Sequence, residues 1–242
     1  VIKQTQADGT IYQFAYIEGA DGKVHQVNLI NPRGDSRQVV FDGNGYATTD
    51  TQVGGPEQQV TVFARDAGSH FVLSTTDPIG RKTAYTYDAM GNVTSIIRMA
   101  ETAEAVITRF TYDTSFNKVA SITDPLNHTM TYSYNANGNL VVIANPLGNT
   151  TTLSYNSAGL PTAITDAVGN ATLFTYDNNG NLSVTTDPLG NMTQRAYDNL
   201  SRLIALTNAR GFTTHYLVDP LNRITDITDA ANGLTQFGYD PN

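Results

Sequence analysis

The chain has 242 residues, with 22 acidic and 14 basic side chains and a formal net charge of -8. That length can bury a sizeable core, while the acidic balance, with no basic run longer than Arg81-Lys82, argues against nucleic acid as a partner. Cysteine is absent, so neither a disulfide framework nor a Cys-ligated zinc site can form.

No apolar run approaches the roughly 18 residues that span a bilayer. The opening "VIKQTQADGT" lacks the basic and apolar regions of a signal peptide. The chain does not start with Met and stops at "YDPN", midway through a recurring phrase, so it is expected to be a segment of a longer polypeptide.

From the amino terminus, "TIYQFAY" puts Tyr16 in a slot that recurs along the chain. Phe41 of "NPRGDSRQVVFD" and Arg65 of "TVFARDAGSHF" fill the next two. The slot then holds Tyr87, Tyr112, Tyr134, Tyr155, Tyr176, Tyr197, Val218 and Tyr239, in steps of 25, 22 and then 21. A second phrase keeps the same beat, starting at Asp77, Asp124, Asn145, Asp166, Asp187, Asn208 and Asp229. The chain therefore reads as one array over 1-242, divergent in 1-75 and regular in 76-242.

The regular repeats follow Thr-x-aromatic-x-Tyr, as in Thr83, Tyr85 and Tyr87 or Thr172, Phe174 and Tyr176, with Met130, Leu153, Arg195 and Val218 as single departures. Such alternation predicts a strand with one aromatic face and one polar face. "DNNGN" and its relatives then form a turn in which Gly91, Gly138, Gly159 and Gly180 supply positive φ. A second strand starts at Val93, Leu140, Leu182, Leu203 or Ile224, and another apolar residue follows three positions later in most of them. Three is an odd step for a strand, so either both faces are partly apolar or a bulge intervenes. "TDPLGN" returns the chain, with Pro78, Pro125, Pro146 and Pro188 fixing φ at the second turn position. The expectation is all-β: tandem hairpins of about 21 residues, 20 to 22 strands at about 4.8 Å each, in one continuous antiparallel sheet. Twist would make so wide a sheet spiral into a shell or barrel-like ribbon.

"YDAMGNV" (87-93), "YNANGNL" (134-140), "YDNNGNL" (176-182) and "TDPLGN" (186-191) resemble the RHS/YD-repeat family. Its members include bacterial polymorphic toxins, cocoon components of insecticidal toxin complexes and teneurin-type cell-surface proteins. The resemblance implies a wall of antiparallel sheet wound around a hollow, and export to the outside of the cell or its surface. The chain shows no closing segment with the family's self-cleaving aspartate pair, so neither autoproteolysis nor toxicity carries over to these residues.

Asp88, Asp113, Asp177 and Asp198 recur at one turn position. A catalytic carboxylate need occur once, whereas a turn former recurs in every repeat, so no catalytic residue, enzyme activity or cofactor is assigned. Asp177, Asn179 and Asn181 place alternate oxygens as some calcium loops begin, without the later bidentate Glu. His25, His70, His128 and His215 have no metal-ligand spacing. Arg65 and Arg195 lie within the aromatic grid, where cations stack on rings. Asn-x-Ser/Thr occurs at Asn92, Asn149, Asn170, Asn181, Asn191 and Asn199, which matters only in a glycosylating pathway.

These readings predict a structural wall that encloses or presents another part of the same polypeptide, such as a toxin domain. Its partners would be neighbouring segments of that polypeptide. One alternative is an extracellular adhesion module holding carbohydrate or a cell surface on the aromatic stripe. Another is self-association into fibres through open strand edges.

Overall fold

The computed structural model describes residues 1-55 and 57-240. The closing "YDPN" is thus described through Asp240, and its last two residues lie outside the described residues. The chain divides into two compact units at Thr129/Met130, and each is taken by itself.

The first unit holds β1 (Ile2–Thr5), β2 (Ile11–Glu18), β3 (Val24–Ile30), β4 (Ser36–Phe41), β5 (Ala47–Val53), β6 (Gln59–Arg65), β7 (Val72–Thr76), β8 (Lys82–Tyr87), β9 (Val93–Arg98), β10 (Val106–Tyr112) and β11 (Val119–Thr123). The second holds β12 (Thr129–Tyr134), β13 (Leu140–Ala144), β14 (Thr150–Tyr155), β15 (Pro161–Thr165), β16 (Ala171–Tyr176), β17 (Leu182–Thr186), β18 (Met192–Tyr197), β19 (Leu203–Thr207), β20 (Thr213–Val218), β21 (Ile224–Thr228) and β22 (Leu234–Gln236). Within each unit every strand pairs antiparallel with the next. No helix occurs among the described residues. The all-β hairpin array read from the sequence is the observed fold.

The alternation of the first strands is physical. In β14, β16, β18 and β20 the Thr, aromatic and slot positions are half-buried, while the residues between them are exposed. The second strands are half-buried on both faces, and the reason lies in the register. Tyr132 faces Ile143 and Ser133 faces Val142, but Tyr134 faces Leu140. Val141 is the extra residue of a β-bulge. The same skip follows Tyr87, Tyr155, Tyr176 and Tyr197. The bulge restores the apolar residue three positions on to the aromatic face, which settles the choice that spacing left open.

Register also corrects one slot. The first bulge lies between Ile17 and Glu18, with Glu18 facing Val24, and the turn starts at Gly19. Glu18 rather than Tyr16 therefore occupies the first slot. Tyr16 is aromatic and strand-borne, but it pairs with Val27 two steps inside the ladder. Phe41 and Arg65 stand where the spacing puts them, facing Ala47 and Val72 across bulges.

Both turn phrases build one loop. Asp177 N–H donates to the Asn181 carbonyl at 2.9 Å, and Gly180 N–H donates back to the Asp177 carbonyl at 3.0 Å. Asp187, Gly190 and Asn191 repeat this at 2.9 and 3.0 Å. This is a type I turn closed by a residue of positive φ. Gly supplies that conformation in most repeats, and Asn127, Asn222 and Asn232 supply it in others, with φ of 65°, 63° and 63°. The longer steps along the slot have local causes. The turn from Asp113 to Lys118 has one extra residue, and the loop 99-105 replaces an Asp-Pro turn. That loop returns Ala100 onto β8, where its N–H donates to the Lys82 carbonyl at 2.9 Å.

Ala100 is the only buried apolar side chain among the described residues, and it keeps 6% of its surface exposed. Each unit is therefore a single-layer sheet, stabilised by its ladders and by side chains packed sideways along a face.

The two turn series differ in what surrounds the glycine. A Cβ on Gly91 would stand 2.8 Å from the Phe71 ring, whereas one on Gly190 would meet nothing within 4 Å. Both have positive φ, 88° and 85°. Gly190→Ala is expected to cost about 1 kcal/mol from backbone strain alone, and Gly91→Ala clearly more. Gly190→Asn is expected to be close to neutral. Urea-denaturation midpoints of the three variants check this ordering.

Candidate functional site

The strongest recurring geometry joins each hairpin to the one before it. At most of the bulges the second strand starts with a residue whose carbonyl meets the next slot tyrosine. Tyr87 donates its hydroxyl to the Val72 carbonyl at 2.8 Å, and Tyr112 to that of Val93 at 2.8 Å. In the second unit Tyr155 reaches Leu140 at 2.7 Å, Tyr176 reaches Pro161 at 2.8 Å, Tyr197 reaches Leu182 at 3.1 Å and Tyr239 reaches Ile224 at 2.7 Å. Tyr134 holds the same place at the end of β12, facing Leu140. Burial pushes the Tyr87 and Tyr112 phenols above their usual range, which keeps them protonated donors.

Arg65 does this work with another chemistry. Its Nε donates to the Ala47 carbonyl at 3.4 Å and its Nη1 to the His70 carbonyl at 3.1 Å, while the guanidinium lies 5.2 Å from the Tyr46 ring centre. Arg195, two residues before a slot, instead donates to Thr185 Oγ1 at 2.9 Å. Val218 stands in the slot relative to Leu203 but carries no donor.

The carboxylate opening each turn folds onto its own loop. Asp177 Oδ1 accepts the N–H groups of Asn179 and Asn181, both at 2.9 Å, and its Oδ2 accepts Asn181 Nδ2 at 2.9 Å. The three residues noted as a calcium-type start thus converge as a hydrogen-bonded corner, with the Asn181 amide nitrogen turned toward the carboxylate. Asn92, Asn170 and Asn191 bond Asp88, Asp166 and Asp187 in the same way. Arg202, Arg223 and His128 replace the asparagine against Asp198, Asp219 and Asp124. Asn145 and Asn156 open their turns without a charge and still accept two N–H groups each. Among the described residues no three of His, Asp and Glu gather as a metal site. His25 lies on Asp21 and His70 stacks on Tyr46, while His215 is exposed on β20.

The residue that closes each Tyr-Asp turn also touches the next such turn. Asn92 Nδ2 donates to Asn117 Oδ1 at 2.6 Å, Asn181 Nδ2 to Ser201 Oγ at 3.0 Å, and Arg202 Nη1 to the Asp219 carbonyl at 2.8 Å. Phe71 packs on Tyr87 and Gly91, Leu160 lies against Gly180, and Arg223 lies 4.5 Å from the Tyr239 ring centre. Neither this column nor the carbonyl acceptors was identified from sequence. A step of 15 residues between acceptor and tyrosine, as in Val72/Tyr87 and Leu182/Tyr197 and lengthened to 19 at Val93/Tyr112 by the loop 99-105, is the signal that could have found the staples.

Two outcomes follow for the staples and one for the corners. Tyr176→Phe is expected to lose about 1 kcal/mol, the net worth of one hydrogen bond. Val218→Tyr is expected to gain a similar amount by supplying the absent hydroxyl to Leu203; thermal unfolding of the two variants checks both signs. The Asn181 amide and the backbone N–H groups hold the Asp177 carboxyl below its usual range, and those of Asp88, Asp166 and Asp187 behave alike. A depressed folded value means the contribution is present above the unfolded value near 3.9 and disappears as pH falls through the folded value. The melting temperature is expected to be flat near neutrality and to drop below about pH 4. Asp177→Asn, which keeps the Oδ1 acceptor but loses the carboxylate oxygen that accepts Asn181 Nδ2, should remove its share of that acid loss by lowering stability at pH 7.

The RHS Repeat family model matches residues 66–104, 112–150, 134–171, 155–191 and 176–213, more than half of the chain. No curated protein matches the sequence. Among solved structures the chain is similar to the TcdB2-TccC3-Cdc42 crystal structure, at 12% identity over 93% of this chain and 18% of that one, with a TM-score of 0.43. It is similar to TcdB2-TccC3 without the hypervariable C-terminal region at the same identity, coverage and TM-score. It also resembles the Photorhabdus luminescens Tc holotoxin pore, at 13% identity over 94% of this chain and 17% of that one, with a TM-score of 0.41. The chain spans less than a fifth of the length of these structures. With its 21-residue beat, bulged hairpins and matched repeats, the chain belongs to the RHS repeat family.

Proposed function

We propose that the chain is a non-enzymatic wall segment of a larger exported or cell-surface RHS-repeat polypeptide, and that the wall encloses or presents another part of that polypeptide, such as a toxin domain. The tyrosine staple carries this reading. A hydroxyl that recurs in most repeats and bonds the preceding hairpin builds a surface rather than a reaction centre. The aspartates support it in the same way, because their oxygens bond their own turns. On this reading the slot tyrosines, the turn glycines and the Asp-Pro prolines are structural positions. The partners are neighbouring segments of the same polypeptide and the enclosed part.

Limited proteolysis of the full-length polypeptide tests enclosure. A segment outside the repeats should resist protease in the parent and become cleavable in the Tyr155→Ala/Tyr176→Ala variant. Equal cleavage of every such segment in both proteins would remove enclosure from the proposal. Cell fractionation checks export separately, and turnover of ester, peptide or glycoside substrates by the purified chain would contradict the non-enzymatic part.

A further inference from the structure

One hollow in the first unit is not explained by staples or corners. Thr75 on β7 stands opposite Thr83 on β8, Thr83 opposite Arg98 on β9, and Arg98 opposite Val106 on β10. Directly opposed residues share a face, with Cβ atoms about 4.5–5.5 Å apart, so these four form one row. Thr61, Asp77 and Arg81 adjoin the row and help close a hollow of about 460 Å³.

The charges there are unequal. Asp77 Oδ2 accepts Arg81 Nε at 2.6 Å, and its Oδ1 accepts two backbone N–H groups. Glu101, on the loop beside β9, is held by Lys82 Nζ at 2.6 Å. Arg98 is exposed and makes no hydrogen bond or ion pair among the described residues. The hollow therefore combines one matched ion pair, one unmatched guanidinium and three threonine hydroxyls, a local positive charge on a chain of net charge -8.

We propose that this hollow binds a sugar acid of the hexuronate type. The carboxylate takes the planar fork of Arg98, which suits two parallel hydrogen bonds. The ring hydroxyls exchange hydrogen bonds with Thr61, Thr75 and Thr83, each able to donate and accept. A neutral hexose lacks the charge partner, and a simple inorganic anion lacks the hydroxyls. The site rests on Arg98 and its row, so it stands or falls independently of what the wall encloses.

Titration calorimetry of the chain with D-galacturonate at low ionic strength tests the proposal, with D-galactose and sodium sulfate as comparison probes. Saturable galacturonate binding is expected, with both other probes at least about tenfold weaker. Arg98→Gln should weaken it about tenfold or more, Arg98→Lys by less, and Thr83→Val about threefold. Arg33→Gln, in the turn before β4, should leave it unchanged. Absence of saturable binding would overturn the proposal. So would sulfate binding as well as galacturonate, which would mean an adventitious ion only, or undiminished binding by Arg98→Gln. Melting temperatures establish that each variant is folded, and if Arg98→Gln is not, the comparison between Arg98→Lys and the parent decides.

Discussion

The structure depends on one misfit between neighbouring strands. Each Tyr-Asp turn is followed by a bulge, and the extra residue sets the adjoining carbonyl apart from an even ladder. A tyrosine from the next hairpin reaches that carbonyl at 2.7–3.1 Å. The bulge creates the acceptor and the following repeat supplies the donor, so a hairpin is complete only when another follows it. This is the atomic form of nearest-neighbour stability in repeat proteins. It suits a sheet in which Ala100 is the only buried apolar side chain among the described residues, because most of the cohesion must then come from neighbours on one layer.

Much of this architecture was legible because the chain repeats its own evidence. Alternation in Thr172, Phe174 and Tyr176 fixed strand and face, and Gly180 and Pro188 fixed the turns on either side of β17. The bulge was half legible. Val93 and Ile96 announced that something broke the period, and only register showed what. Tyr16 misled because an aromatic residue in a strand resembles the slot, while the real occupant, Glu18, has none of its chemistry. The staples were invisible for a different reason. A main-chain carbonyl has no letter in a sequence, so a contact from side chain to backbone shows only as a recurring spacing.

Substitutions within the array show what the slot asks for. Tyrosine offers a donor at the end of a ring, and Arg65 offers a donor at the end of a flexible stem that also covers Tyr46. Where the slot is stapled, what counts is reach and one hydrogen, with aromaticity secondary; Phe41 and Val218 fill it with no donor. The corners follow a similar rule. Asn, Arg and His all close the turn against the opening carboxylate, and Asn145 or Asn156 can replace the carboxylate itself. Charge at the corner is thus optional, while the acceptor geometry is not.

The inequality of the two turn series has a consequence for how such chains diversify. Tyr-Asp turns lean on one another, and the two longer ones, at Asp66 and Asp113, admit a single added residue each. Asp-Pro turns stand clear, their glycines meeting nothing, and it is on their side that the loop 99-105 replaced a turn without disturbing the flanking pairs β8–β9 and β9–β10. Lineage-specific insertions, epitopes and grafted peptides therefore have a natural port of entry on one side of each unit. The opposite side acts as a spine whose length per repeat is closely held.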